Sequence, residues 1–225
     1  FRAKDPIQWE KLPKAAAWTL VGLTLYIVTY ATAQQIASAD DDYWIHAPLQ
    51  GLMRHGNFPP TNPFFSDIPM NGHYGRNLSI VTFSYLSGFD VFLSQHVLTS
   101  VLQGLTLWLF YSAFLASSGR QLNALLGTAF VFFGINAGGR GGLTDTMQNN
   151  NPYVHLYLGF LCYMTVLAWK EKRWTAAVLG GLGLGSYAIV YETHFGLVFF
   201  TILGVTPILW AAKFIDRQRA LCALT

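Results

Sequence analysis

Long runs without a single charged residue constrain this chain more than anything else in it. Uncharged stretches of 18 to 29 residues recur along the sequence, and a bilayer core about 30 Å thick is crossed by about 20 helical residues rising 1.5 Å each. The apolar runs fall at residues 15–39, 91–117, 121–136, 153–169, 174–191 and 195–212. Only 11% of the residues are charged, against roughly 25% in an ordinary soluble domain, which excludes a water-soluble surface. The expected fold is an all-α membrane protein of about six transmembrane helices. Residues 1–14 form a cytoplasmic segment in this reading, and residues 15–225 form a single transmembrane domain.

Charge placement sets the expected orientation, because the inner loops of membrane proteins are enriched in Lys and Arg. With both termini cytoplasmic, Arg2, Lys4, Lys11, Lys14, Arg120, Lys170, Lys172, Arg173, Lys213, Arg217 and Arg219 fall inside. Only Arg54, Arg76 and Arg140 fall outside. This asymmetry accounts for the net charge of +3, so nucleic acid is not an expected partner. No signal-peptide cleavage site precedes the first run, which reads as a retained span. The end, Leu221-Cys222-Ala223-Leu224-Thr225, opens another apolar stretch and reads as the edge of a longer chain.

Residues 40–90 make an outer loop far longer than the usual link between packed helices, and loops of that length are commonly functional. Trp44, Ile45, Pro48, Leu49, Leu52 and Met53 recur at helical spacing ahead of Gly56, which predicts an amphipathic helix lying in the headgroup layer. Asp42, His46, Gln50 and Arg54 share its polar side, with His46 and Gln50 turned to the polar phase. Pro48 places the start of the regular helix near His46. A second interfacial helix is predicted over residues 76–86, stopping at Gly88, because residues 78–117 as one helix would be about 60 Å long.

All six histidines, His46, His55, His73, His96, His155 and His194, fall in outer loops or the outer third of a span in this threading. No Asp, Glu, Lys or Arg lies at mid-depth, where pumps and channels place such residues. An outward-facing site is therefore expected rather than a conduit. Two glycine clusters have plainer readings. Gly138 to Gly142 form a turn around Arg140, and Gly181 and Gly185 form a helix-packing surface at four-residue spacing.

A first span ending in Asp40-Asp41-Asp42, then Gly56-Asn57-Phe58-Pro59-Pro60-Thr61-Asn62-Pro63 and His73-Tyr74-Gly75-Arg76, resembles the bacterial membrane glycosyltransferases of the GT-C superfamily. That resemblance implies transfer of a sugar from a polyprenyl-phosphate carrier at the outer face of a bacterial cytoplasmic membrane. An acidic residue of the first outer loop would serve as catalyst, here Asp41 or Asp42. Inverting transfer needs a carboxylate to accept the acceptor hydroxyl's proton and cations or backbone donors for the departing phosphate. His46, His73, Arg76, Arg140, Glu192 and His194 are the candidate substrate-binding residues, with Tyr191 to His194 read as an outer turn. Asp40 and Asp42 can instead hold Mg²⁺ or Mn²⁺ through oxygen ligands, as in metal-requiring members. The competing plain reading makes the Asp triplet a helix start, since Asp caps helices well. The functional alternative is a non-catalytic accessory subunit of a larger membrane complex, with lipid and other membrane subunits as partners.

The charge asymmetry generates a topology prediction. With cysteines at positions 57 and 171, an impermeant maleimide should label Asn57→Cys in intact cells and leave Glu171→Cys unlabelled until the membrane is opened. Labelling of position 171 alone would invert the threading.

Overall fold

The structure, a computed structural model, describes residues 14–37, 42–65, 67–70, 74–134, 141–147 and 151–224. Among these the fold is helical, and the backbones of Thr61 and Pro69 meet in an isolated antiparallel bridge. The elements are α1 (Lys14–Ala37), α2 (Asp42–Arg54), α3 (Gly75–Ser87), α4 (Val91–Ser118) and α5 (Gln121–Phe133), followed by a 3-10 turn (Leu143–Thr146). Then come α6 (Asn151–Glu171), α7 (Trp174–Val190), α8 (Glu192–Ala211) and α9 (Arg217–Leu224).

Four helices, α1, α4, α6 and α8, are long and apolar enough to cross a membrane. The other two expected spans are shorter. Helix α5 has 13 residues and α7 has 17, which at 1.5 Å each is about 20 and 26 Å. Large apolar side chains face outward on the bundle, Leu25, Leu126, Leu197 and Phe200 each more than 60% exposed, as lipid-facing helices require.

Helix α4 is the spine, touching α1, α2, α3, α5 and α6. Its ends are set locally. The Asp90 carboxylate accepts the Leu93 backbone N–H at 2.9 Å, and Gly119 closes the helix in the left-handed conformation that glycine adopts without steric penalty. The same device, Gly88 at φ 75°, stops α3 and forces the turn into α4, where the sequence predicted it.

Cross-helix contacts give the direction of each helix. Gln103 meets His155 and Ala116 meets Lys170, so α4 and α6 run the same way. Thr32 meets Ser100 and Gly104 lies beside Thr24 and Val28, so α1 runs against them. Gly127 on Phe114 reverses α5, and Gly180 on Met164 with Gly183 on Phe160 reverses α7. Helix α8 returns parallel to α6, from Tyr191 down to Leu209 near Trp169. One end of the bundle therefore carries α2 and α3, and the opposite end carries Lys170 to Arg173 and Lys213 to Arg219. At that basic end the backbone N–H of Arg219, assisted by Lys172 at 3.4 Å, holds the Asp216 carboxyl below its ordinary range.

Four expectations are corrected. Helix α2 begins at Asp42, not near His46, and carries Pro48 inside it; only the bond from residue 48 to the Trp44 carbonyl is given up. His46 and Gln50 are not turned to a polar phase but are buried beside Leu49 and Met53. Glu192, Thr193 and His194 do not form a turn; they are the first turn of α8, with only Tyr191 linking α7 to it, and an acidic residue suits that helix start. The close glycine packing of α7 uses Gly180 and Gly183, whereas a Cβ on Gly185 would meet nothing within 4 Å.

Helix α3 lies close against the backbone of α7. A Cβ on Gly75 would lie 2.8 Å from the Ile189 carbonyl oxygen, a backbone atom that cannot swing aside. Gly75→Val is expected to cost about 1–3 kcal/mol through overpacking, whereas Gly185→Ala, with open space around it, should be neutral or mildly stabilising. Thermal unfolding of the purified protein in detergent reads both, and equal melting temperatures for the two variants would contradict the assigned packing.

Candidate polar centre at the α2–α3 end

The helical repeat places His46, Leu49, Gln50 and Met53 on one side of α2, and that side faces α3 and α4. On α3, Arg76 and Asn77 point inward and are 1% and 0% exposed. On α4, Gln95, Thr99 and Gln103 recur at four-residue steps, each at most 2% exposed. Three helices thus bring amides, an imidazole and a guanidinium into one dry region.

The hydrogen bonds there run in a defined direction. The Gln50 amide uses both of its protons, donating to Asn77 Oδ1 at 3.0 Å and to Gln95 Oε1 at 2.9 Å. Asn77, having accepted through its oxygen, donates through Nδ2 to His46 Nδ1 at 2.9 Å. That donation fixes the neutral His46 ring with its proton on Nε2. One α2 side chain therefore ties both neighbouring helices.

A second chain lies deeper, between α4 and α6. Gln103 Nε2 donates to His155 Nδ1 at 3.0 Å, and His155 Nε2 faces Thr146 Oγ1 at 3.2 Å. Thr146 in turn donates to the Leu143 carbonyl at 3.4 Å. The turn joining α5 to α6 is held into the bundle by this relay and by Gln35 Nε2 donating to the Met147 carbonyl at 2.7 Å.

Arg76 and the Tyr153 phenol of α6 are both buried at this end of the bundle. Tyr153, Tyr157, Tyr187 and Tyr191 continue the cluster across α6 and α7, Tyr157 stacking on Tyr187 with ring centroids 4.8 Å apart. His194 completes it. Its ring lies 4.5 Å from that of Tyr191. Among the described residues, Tyr153 Oη, Tyr187 Oη, Thr99 Oγ1 and His194 Nδ1 are buried without a hydrogen-bond partner. Buried polar atoms are ordinarily satisfied, so several together mark a region where a polar ligand would gain bonds.

Of the residues expected in the site, the structure buries His46 and Arg76, His46 bonding to the residue after Arg76, and sets His194 against Tyr191. Glu192 is exposed at the start of α8, and Asp42 is the first residue of α2. Asp40, Asp41, His73 and Arg140 lie outside the described residues. Among the described residues no group of three His, Cys, Asp or Glu gathers as metal ligands.

Gln50, Asn77, Gln95, Gln103, Tyr153, Tyr187 and His155 were not singled out as site residues from the sequence. Gln95, Thr99 and Gln103 carried a readable signal, a four-residue polar stripe inside an apolar run, but counting charges alone passes over neutral amides. No protein-family model, curated protein or solved structure matches this chain.

The shared Gln50 amide generates an energetic prediction. Gln50→Ala and Gln95→Ala should each destabilise the protein, and the double variant should fall short of their sum by about 0.5–2 kcal/mol, the range for polar pairs between membrane helices. Reversible unfolding in mixed micelles measures the cycle. Strict additivity would mean that the two side chains do not meet.

Proposed function

We propose that this chain is a GT-C-like membrane glycosyltransferase, or its membrane module, moving a sugar from a polyprenyl-phosphate donor to an acceptor at the outer face. The observation that carries this reading is the full burial of Arg76, in the segment that bears the sequence resemblance. A guanidinium in a dry site interacts with a phosphate far more strongly than one in water. The proposed topology has six spans, with both termini cytoplasmic and the α2–α3 end outside. The alternating direction of α1, α4, α5, α6, α7 and α8 supports it, as does the gathering of Lys and Arg at the opposite end.

In the proposed reaction the acceptor hydroxyl attacks the anomeric carbon while the bond from that carbon to the phosphate oxygen breaks. The Asp42 carboxylate, or that of Asp41, accepts the hydroxyl proton, and Arg76 offsets the charge growing on the departing phosphate. The unpartnered phenols of Tyr153 and Tyr187 offer hydrogen bonds to sugar or phosphate oxygens. Helix α2 starts at Asp42, so the proposed catalytic residue belongs to the same helix that Gln50 anchors.

A second reading, the accessory subunit, draws on one observation: His46, Gln50, Asn77 and Gln95 bond to one another, as a structural lock would. Substitution separates the two. Asp42→Asn or Asp41→Asn should lower transfer from a radiolabelled polyprenyl-phosphate sugar by roughly 10²-fold or more, as loss of a general base does, with helicity and elution volume unchanged. Undiminished transfer in both variants would remove the enzyme reading's base.

A further inference from the structure

A cavity of about 430 Å³ lies among α6, α7 and α8, running from Phe195 near the polar centre toward the basic end. It exists because α8 packs on α7 and α9 but hardly on α6. Its walls are apolar and include Met164, Trp169, Gly181, Gly185 and Phe199. On α8 the lining runs from Phe195 to Leu209, about 21 Å at 1.5 Å per residue. The absence of side chains at Gly181 and Gly185 opens the α7 wall. An extended hydrocarbon chain suits its length and lining.

Charge surrounds the far end of the slot. Residues 169–174 and 209–219 hold Lys170, Lys172, Arg173, Lys213, Arg217 and Arg219 against only Glu171 and Asp216. Lys172 and Arg219 pair with Asp216, Arg173 pairs with Glu171, and Lys170 donates to the carbonyls of Ala116 and Ser117 that end α4. Lys213 and Arg217 are exposed and make no ion pair among the described residues. Both are held close to the cavity mouth. The turn after α8 folds back so that the N–H groups of Phe214 and Ile215 reach the Leu209 carbonyl, and Arg219 Nε donates to the Trp169 carbonyl at 3.1 Å.

We infer that this slot binds an anionic phospholipid, one acyl chain lying against Gly181 and Gly185 and the headgroup phosphate meeting Lys213 and Arg217. An apolar slot alone would accept any lipid. Surplus cations at its mouth select for net negative charge, as basic pockets at helix ends do. The occupant is thus a lipid of the surrounding bilayer, its headgroup at the end opposite the polar centre, and the inference is independent of any sugar transfer.

Native mass spectrometry of the delipidated full chain, titrated with phosphatidylglycerol or phosphatidylcholine of identical chains, tests it. Phosphatidylglycerol should bind about tenfold or more tightly than phosphatidylcholine, in line with two cations at the surface. Lys213→Gln with Arg217→Gln should erase that preference, inorganic phosphate should not compete, and Gly185→Phe should weaken both lipids. Phosphatidylglycerol with brominated chains should also quench tryptophan emission in the unaltered protein more than in Trp169→Phe, a readout that needs no cavity-filling variant. Equal affinity for the two lipids, undiminished binding to a folded Gly185→Phe variant, or identical quenching with and without Trp169 would each overturn the assignment.

Discussion

A guanidinium removed from water must be surrounded by dipoles or opposite charge, since an uncompensated buried ion costs several kcal/mol. Arg76 is the largest fully buried side chain described, and it sits where α3 presses on α7 through Gly75. Further polar side chains are buried at the same end. Asn77, next in the chain, accepts from Gln50 and donates to His46, and Gln50 carries the connection to Gln95 on α4. The two short helices that the sequence placed in a headgroup layer are consequently docked into the bundle by amides, with Leu49, Met53 and Val81 packed beside them.

The two ends of the molecule are built on opposite principles. At the α2–α3 end, polar side chains turn inward and meet in two sets, one across α2, α3 and α4 and one between α4 and α6. At the basic end, charges stay at the surface while the interior between α6, α7 and α8 is an apolar slot. A membrane protein that handles a polar substrate needs the first arrangement, because hydrogen bonds and charge interactions gain strength where water is excluded. The second suits anchoring in a bilayer whose lipids carry net charge.

Much of the helix layout was legible in the sequence because charge-free runs of sufficient length permit few alternatives. The stop of α3 at Gly88 was legible too, since a single 40-residue helix would overrun the bilayer. Pro48 misled because proline forbids only one bond, and tertiary packing of Leu49 and Met53 outweighed it. Gly181 and Gly185 misled because four-residue spacing identifies a smooth helix side without saying whether a helix or an open slot faces it. The polar centre was only partly legible. His46 and Arg76 stood out as unusual chemistry, but Gln95 and Gln103 are uncharged members of an apolar run, and their role depends on where α2 and α6 present Gln50 and His155. Tyr153 and Tyr187 look like membrane-span aromatics until burial shows their hydroxyls inside.

The central claim is that α2 and α3 are an integral, buried part of the bundle rather than a pair of helices resting on its surface. Hydrogen–deuterium exchange of the protein in lipid nanodiscs measures this directly. Peptides covering Asp42–Arg54 and Gly75–Ser87 should exchange on the timescale of α4, and Gln50→Ala should release protection in both together, since one amide links them. Exchange of these two segments at the rate of an open loop, with α4 still protected, would contradict the account.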